Sequence, residues 1–408
     1  MLSADVAVVG AGPAGIAAAI TLARAGREVV VLDKASFPRD KCCGDGLTTG
    51  ALRLLEGLGL DPSTIPSWQP IDDVVVRGPA GHHVRLPLPR GRGTYAAVAR
   101  RIELDAALVE PARAAGATVI EGAAVTGAVA TADRIDLTVL DGEPVAARYA
   151  VGADGMWSPL RKHLGSEPVR RDLGEWHAFR QYFTDVAPSA SKDLFVWFEP
   201  DLLPGYAWSF PVAGGGANVG FGIQRGGGTT VQEMGRLWPE LLARPHIRAV
   251  LGPAALPEGP HKAWPIPAHI ERTILSAAGG RALFVGDAAA ATDPLTGEGI
   301  GQALLTGTMA AEAIVVAGGL EPARAAARYA AAVARELVPD ATMSQLLIRA
   351  VRHRRGVRAA LRVAGASDWT RRNFGRWLFE DYPRGLVATP GRWSQHSLAG
   401  DGAWRAAT

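Results

Sequence analysis

The segment that most constrains this chain is Gly10-Ala-Gly-Pro-Ala-Gly15, set between an apolar run and an alanine-rich one. Asp5 to Val9 reads as a short buried strand, and Ile16 to Ala25 reads as a helix. Between them Gly10 permits a tight turn, Gly12 lets the backbone approach a pyrophosphate, and Gly15 lets the helix pack closely on the strand. Free N–H groups at the helix start, beyond Pro13 and Ala14, then face the phosphates, and the helix dipole adds to the attraction. A second strand, Glu28 to Leu32, ends at Asp33 beside Lys34, where the carboxylate is set to accept from ribose hydroxyls. A chance glycine turn competes with this reading; strand, helix and acidic residue in register argue against it.

Composition bounds the rest. At 408 residues, 48% hydrophobic and 20% charged, the chain can bury a large core and is expected to form two or three units. A net charge of +3 is too small to argue for a nucleic-acid partner, and none is expected. Two adjacent cysteines give no disulfide framework, which fits a reducing cytoplasm. The N-terminus enters a strand almost at once, without a basic region, apolar stretch and cleavage site. No uninterrupted apolar run reaches the length of a bilayer span. A cytoplasmic protein is expected.

Two further glycine segments follow, Gly152-Ala-Asp154-Gly155 and the stretch from Gly286 to Gly301. Arg281 to Val285 reads as a strand ending in Gly286-Asp287, with Asp287 placed to accept from a flavin ribityl hydroxyl. Pro294 to Gly301 opens a helix around Gln302 to Ala313. Its N–H groups, past Ile300, would face the pyrimidine edge of an isoalloxazine, where reduced flavin carries negative charge. Gly297 and Gly299 keep side chains out of that approach. An ordinary strand, loop and helix is the plainer alternative. In this order and spacing, the three segments read as folding around one flavin.

These residues resemble the para-hydroxybenzoate-hydroxylase-type flavoproteins over roughly residues 1–330, and Arg101 in Arg101-Ile-Glu-Leu-Asp105 matches as well. The resemblance implies an α/β fold: a discontinuous Rossmann-like FAD-binding domain, an antiparallel-sheet substrate domain and a helical C-terminal region. The expected divisions are 1–72, 94–165 and 276–330 for FAD, 73–93 and 166–275 for substrate, and 331–408 for the helices. The implied FAD contacts are Gly10, Gly12, Pro13, Ala14, Gly15, Asp33, Lys34, Cys43, Gly44, Gly46, Arg101, Val125, Asp154, Gly155, Gly286, Asp287, Pro294, Gly297, Gly299 and Ile300. That group holds hydroxylases, halogenases and alkene reductases, so the fold alone does not choose.

Two more motifs narrow the choice. Pro38 to Gly46 (PRDKCCGDG) and Pro204 to Pro211 (PGYAWSFP) resemble the geranylgeranyl reductase family, which includes archaeal lipid reductases and menaquinone side-chain reductases. Cys43 matches the family cysteine, whereas Cys42 stands where the family has proline and frees a φ angle that proline would fix. The resemblance implies catalytic roles for Cys43, Tyr206 and Trp208, an isoprenoid or similarly apolar small-molecule or lipid substrate, and NAD(P)H as a transient reductant. No second strand–GxGxxG–helix unit is present for the pyridine nucleotide. Plainer readings stand beside these. Cys43 can simply pack, and Tyr206, Trp208 and Phe210 alternate like one face of a sheet. Trp176, Trp197 and Trp264 read first as core, and His82, His83 and His177 show no metal-ligand spacing. The alternative function is flavin-dependent monooxygenation of an aromatic or polyketide-like substrate. Halogenation is disfavoured, because the first tryptophan and the isoleucine of W-x-W-x-I-P are missing and no lysine lies between Lys41 and Lys162.

The C-terminal region differs in kind. From Arg349 to Arg376 there are nine arginines against one acid, Asp368, interleaved with Leu, Val, Trp369 and Phe374. One reading is an amphipathic basic helix or helix pair in peripheral contact with the inner face of the membrane. The other is the solvated face of a packed helix. No internal repeat is seen, and disorder is expected only in the last fifteen or so residues.

Overall fold

The structure, a computed structural model, describes residues 1–165, 174–319, 321–379, 385 and 400–405. Strand β1 (Leu2–Val9) leads into helix α1 (Pro13–Arg24), and the chain returns as β2 (Val29–Leu32). Proline at the first helical position suits the helix start, where its missing N–H costs nothing. After α2 (Thr49–Leu58), strands β3 (Asp73–Arg77) and β4 (His83–Pro87) form a hairpin. Then come α3 (Arg101–Ala114), β5 (Thr118–Ile120) and β6 (Val145–Gly152).

The second half supplies β7 (Trp176–Thr184), β8 (Leu194–Trp197), β9 (Ala207–Val212), β10 (Gly216–Gln224) and β11 (Leu256–Ile266). It returns to the first sheet with β12 (Ala282–Phe284) and α4 (Ile300–Ala317). Four helices close the described chain: α5 (Pro322–Glu336), α6 (Val338–Val351), α7 (Arg354–Ala364) and α8 (Asp368–Phe379).

Among the described residues the first sheet has eight strands: a parallel core in the order β12–β6–β1–β2–β5, joined antiparallel by Val125–Ala130, Ile135–Val139 and Ser276–Ala277. Its central strands β2, β6 and β12 are buried on both faces, as parallel sheets require, while β5 at the edge is not. Val6, Val8, Val29 and Val31 enter the core beneath α1 and α4, while Ala7, Val9, Val30 and Leu32 enter a second core on the opposite face. The other sheet runs β11–β7–β10–β9–β8–β3–β4 and is antiparallel except where β8 meets β3.

Side chains alternate across that second sheet. Phe179, Phe183, Phe221 and Trp197 pack on one face against Trp238 and Leu241 of the helix Met234–Leu242. Arg180, Tyr182, Asn218, Trp208 and Phe210 occupy the other, which reaches the first sheet's loops through hydrogen bonds to Asp40, Asp45 and Cys43. The segment Gly46–Leu47 pairs with Ala97–Val98 and holds the cysteine loop between the two sheets.

Two expectations change. The arginine-rich region spans parts of three helices, α6 to α8, rather than one or two. Helix α4 is long and apolar enough to cross a membrane by length and composition, although Gln302 and Glu312 interrupt its apolar run. It packs between α1 and α5 as a core helix, since its apolar surface has partners on several sides. Part of the expected tail disorder is also wrong: Ala403 is buried and bridges to Thr94, and Trp404 sits edge-on to Trp68 at 5.5 Å. Elsewhere that expectation lies outside the described residues.

Candidate active site

The carboxyl ends of β1, β6 and β12 lie side by side, Val9 opposite Gly152 and Gly152 opposite Phe284, so the three glycine segments emerge together. Their contact is close. A Cβ on Gly10 would sit 2.3 Å from the Ala153 carbonyl oxygen, and one on Gly286 would sit 3.0 Å from the Ala14 Cβ. Gly10 also has a φ of 101°, a region that side chains rarely adopt.

A cavity of about 550 Å³ opens at this junction, the carboxyl end of a parallel sheet. Gly10, Gly12, Pro13 and Ala14 line it from the first segment, with Asp33 and Lys34 from the end of β2. Arg101, Val125, Asp154 and Gly155 line it further along. The third segment contributes Gly286, Asp287, Pro294, Gly297, Gly299 and Ile300. Cys43, Gly44 and Gly46 enter from the cysteine loop, and Tyr206 and Trp208 enter from the second sheet. Gly15 alone among the sequence candidates is not on the wall. It lies behind the turn, where a Cβ would fall 1.8 Å from the Gly10 carbonyl oxygen, so it sets helix-to-strand distance.

The donors along this wall suit a dinucleotide. Helices α1 and α4 begin at Gly12 and Gly299 with no side-chain cap, which leaves first-turn N–H groups for a ligand. At α4 one of them, that of Gly301, donates to Glu298 Oε1. The Asp33 carboxylate accepts from Ala11 N–H at 2.7 Å and Ala35 N–H at 2.9 Å, tying β2 to the glycine turn. Asp287 is paired with Lys41 at 3.3 Å, and Lys41 also lies 4.6 Å over the Trp264 ring.

Arg101 is buried and forks onto Asp105, one turn further along α3, at 2.7 and 2.8 Å. Burial alone would lower its pKa, but Asp105 more than offsets that and holds the guanidinium charged. The same guanidinium lies beside Cys43, whose Sγ accepts from Asp45 N–H at 3.4 Å. Burial pushes the Cys43 thiol up, with Arg101 opposing, and pushes Cys42 up to about 11. Both thiols are therefore protonated at neutral pH, which suits a proton carrier better than a thiolate nucleophile.

Tyr206 reaches back to the third glycine segment, its hydroxyl donating to the Thr296 carbonyl. Trp208 fits because Gly220 opposite it has no side chain: a Cβ there would fall 2.4 Å from the indole ring. Gly44 and Gly46 similarly leave room for Phe210, at 3.5 and 3.1 Å.

The comparisons with known proteins agree with this geometry. A family model described as an FAD binding domain matches residues 3–313. The chain belongs to that FAD-binding family. A menaquinone reductase of Mycobacterium tuberculosis is 37% identical over 329 residues, 76% of each chain. Digeranylgeranylglycerophospholipid reductase 1 of Methanopyrus kandleri is 32% identical over 320 residues, 77% of this chain and 80% of that one. In three dimensions, a geranylgeranyl bacteriochlorophyll reductase-like protein of Thermoplasma acidophilum matches with a TM-score of 0.78 at 20% identity, over 90% of this chain and 92% of that one. A flavin-dependent brominase matches with a TM-score of 0.75 at 19% identity, over 96% and 97%, which speaks for the fold alone. This FAD-binding chain is an oxidoreductase of the geranylgeranyl reductase type.

Several site residues escaped the sequence. Trp176 and Trp264 line the cavity, although core packing was the first reading for both; Trp197 does pack in the core. Arg180, Tyr182 and Asn218 gather beside the cysteine loop, around its Asp45, without having been singled out. Strand alternation in WHAFRQYF places Arg180 and Tyr182 on one face, the single signal that could have raised them. Among the described residues no group of His, Cys, Asp and Glu is arranged to hold a metal.

Proposed function

We propose that this FAD-dependent oxidoreductase saturates carbon–carbon double bonds of an isoprenoid or similarly apolar substrate, with a pyridine nucleotide as electron donor. The observation that carries the proposal is the shared cavity: the cysteine loop and the apolar Tyr206, Trp208, Phe210 and Trp176 wall open onto the space bounded by the three glycine segments. The menaquinone and archaeal lipid reductases, 37% and 32% identical to this chain over the aligned residues, support an isoprenoid chain as the acceptor. FAD, when bound, supplies the hydride. Gly12 and the starts of α1 and α4 would hold its phosphates and ring edge, with Asp33 and Asp287 set for its hydroxyls.

An isolated alkene accepts hydride poorly, so a proton must reach the other carbon. Cys43, protonated and on the cavity wall, is suited to deliver it; the Tyr206 hydroxyl lines the same cavity but donates to the Thr296 carbonyl. The tryptophans exclude water, which keeps reducing equivalents from being lost to oxygen. The division into a discontinuous FAD domain, a substrate sheet and C-terminal helices remains the working scheme for dissecting these roles.

A lipid substrate also gives the basic C-terminus a purpose at the inner membrane face. Arg355, Arg358 and Arg362 are exposed on α7, whose opposite face buries Val357 and Leu361. Val363 is 64% exposed and Trp369 73% exposed beside them. Basic and apolar side chains together favour an anionic phospholipid surface.

Mass spectrometry of extracts from cells with and without the protein tests the proposal. A product heavier by two hydrogens on an isoprenoid supports it and names the substrate. One added oxygen would make the chain a monooxygenase and overturn it.

A further inference from the structure

Asn218 is wholly buried on β10 and uses both ends of its amide. Nδ2 donates to the Cys43 carbonyl at 2.8 Å and to Asp45 Oδ2 at 2.8 Å, while Oδ1 accepts from Trp208 Nε1 at 3.1 Å. The partners fix the amide's orientation, since a carbonyl only accepts and an indole N–H only donates. Asp45 is also wholly buried, at a φ of 67°. Its Oδ2 accepts a second hydrogen bond from the Tyr182 hydroxyl, and its Oδ1 has no partner. The charged and titratable groups around it are Tyr182 and Arg180 from β7, Arg101 from α3, and Cys42 and Cys43 from its own loop.

A buried, half-satisfied carboxylate in left-handed backbone is costly. What it accomplishes here is to hold Asn218. Two cavity walls meet at that amide, one carrying Cys43 and the other Trp208.

We propose that Asn218, anchored by Asp45, is a positioning residue that holds the Cys43 loop and the Trp208 indole at a fixed separation across the cavity. The linkage stands on its own geometry; its consequence for turnover rests on the reductase reading, because the alkene would enter between those walls. Burial pushes the Asp45 carboxyl up to about 6, so the anchor is set when it is ionised and loosens as it gains a proton. A protonated carboxyl is the weaker acceptor for the Asn218 amide and the Tyr182 hydroxyl.

The test uses the FAD-loaded protein with ¹⁵N-labelled indoles, the Trp208 N–H resonance being assigned by its loss in Trp208→Phe. In the unsubstituted protein that resonance is expected to shift with a midpoint near pH 6. In Asp45→Asn, whose amide oxygen still accepts both bonds, it should stay in place across the same range. A resonance indifferent to pH, or one that titrates equally in Asp45→Asn, would overturn the linkage whatever the substrate proves to be. With an isoprenoid alkene, Asn218→Ala at normal FAD content is expected to lose about a hundredfold in kcat with KM little changed. A rise in KM alone would overturn the positioning role. Should Asn218→Ala fail to fold, the resonance in Asp45→Asn decides alone. Expected resonance behaviour without reduction of any alkene would sink the reductase reading and leave the linkage standing.

Discussion

Cys43, half-buried on the cavity wall, and Asp45, wholly buried two positions on, carry groups that desolvation drives toward their neutral forms. For Cys43 that means a thiol able to give a proton. Cys43→Ala is expected to keep its flavin and lose about a hundredfold in turnover, the usual scale for a missing acid. Full turnover at normal flavin content would remove Cys43 from the chemistry. For Asp45 the shift is also a statement about stability. Its folded pKa, raised by burial from 3.8 to about 6, favours the protonated form. The stabilising contribution is therefore complete below the unfolded pKa and is lost as pH rises through about 6. Asp45→Asn should thus be more stable than the parent at pH 8, by up to about 3 kcal/mol, with a smaller difference at pH 5. Urea unfolding at the two pH values measures this; an equal difference at both would show that Asp45 does not titrate in the folded chain. A residue that weakens the fold at working pH has been kept for something other than stability.

At the scale of elements, the strand–turn–helix at Leu2–Arg24 was legible because each part carries its own local signal: β-branched residues, three glycines and an alanine-rich helix with proline at its start. The alternation of Tyr206, Trp208 and Phe210 was equally readable as a strand, and β9 spans Ala207–Val212. Less visible was what each face of those strands would meet. The alternation Tyr206, Trp208, Phe210 is the same whether it packs a core or lines a cavity; here it does the second because the cysteine loop, held by Gly46–Leu47 pairing with Ala97–Val98, stops short of filling the space. Helix α4 poses a similar ambiguity. Its composition passes for a membrane span, and only its packing between α1 and α5 marks it as interior.

For the whole molecule, one face of the second sheet meets the loops of the first, and the cavity is the space left between them. On the proposed lipid reading, substrate supply to that space belongs at this scale. The basic face of α7 predicts binding to vesicles with anionic phospholipid, weakened by salt. Each arginine near such a surface adds about 1 kcal/mol, so Arg358→Glu with Arg362→Glu should weaken vesicle flotation more than about tenfold. Flotation unchanged by this pair, or equal on neutral vesicles, would reduce the arginines to a solvated helix face.

The sequence by itself determined the FAD-binding fold, the reductase kinship and the three glycine segments, because each depends on short-range chemistry: a turn that only glycine permits, a helix start, a motif at fixed spacing. Tertiary structure decided which residues meet across long separations. Asp45, Tyr182, Trp208 and Asn218 come together from four different segments, and nothing within any one of them announces the others. Hydrogen-bond partners far apart in the chain are chosen by how sheets pack, and that packing is a property of the whole core rather than of any local pattern.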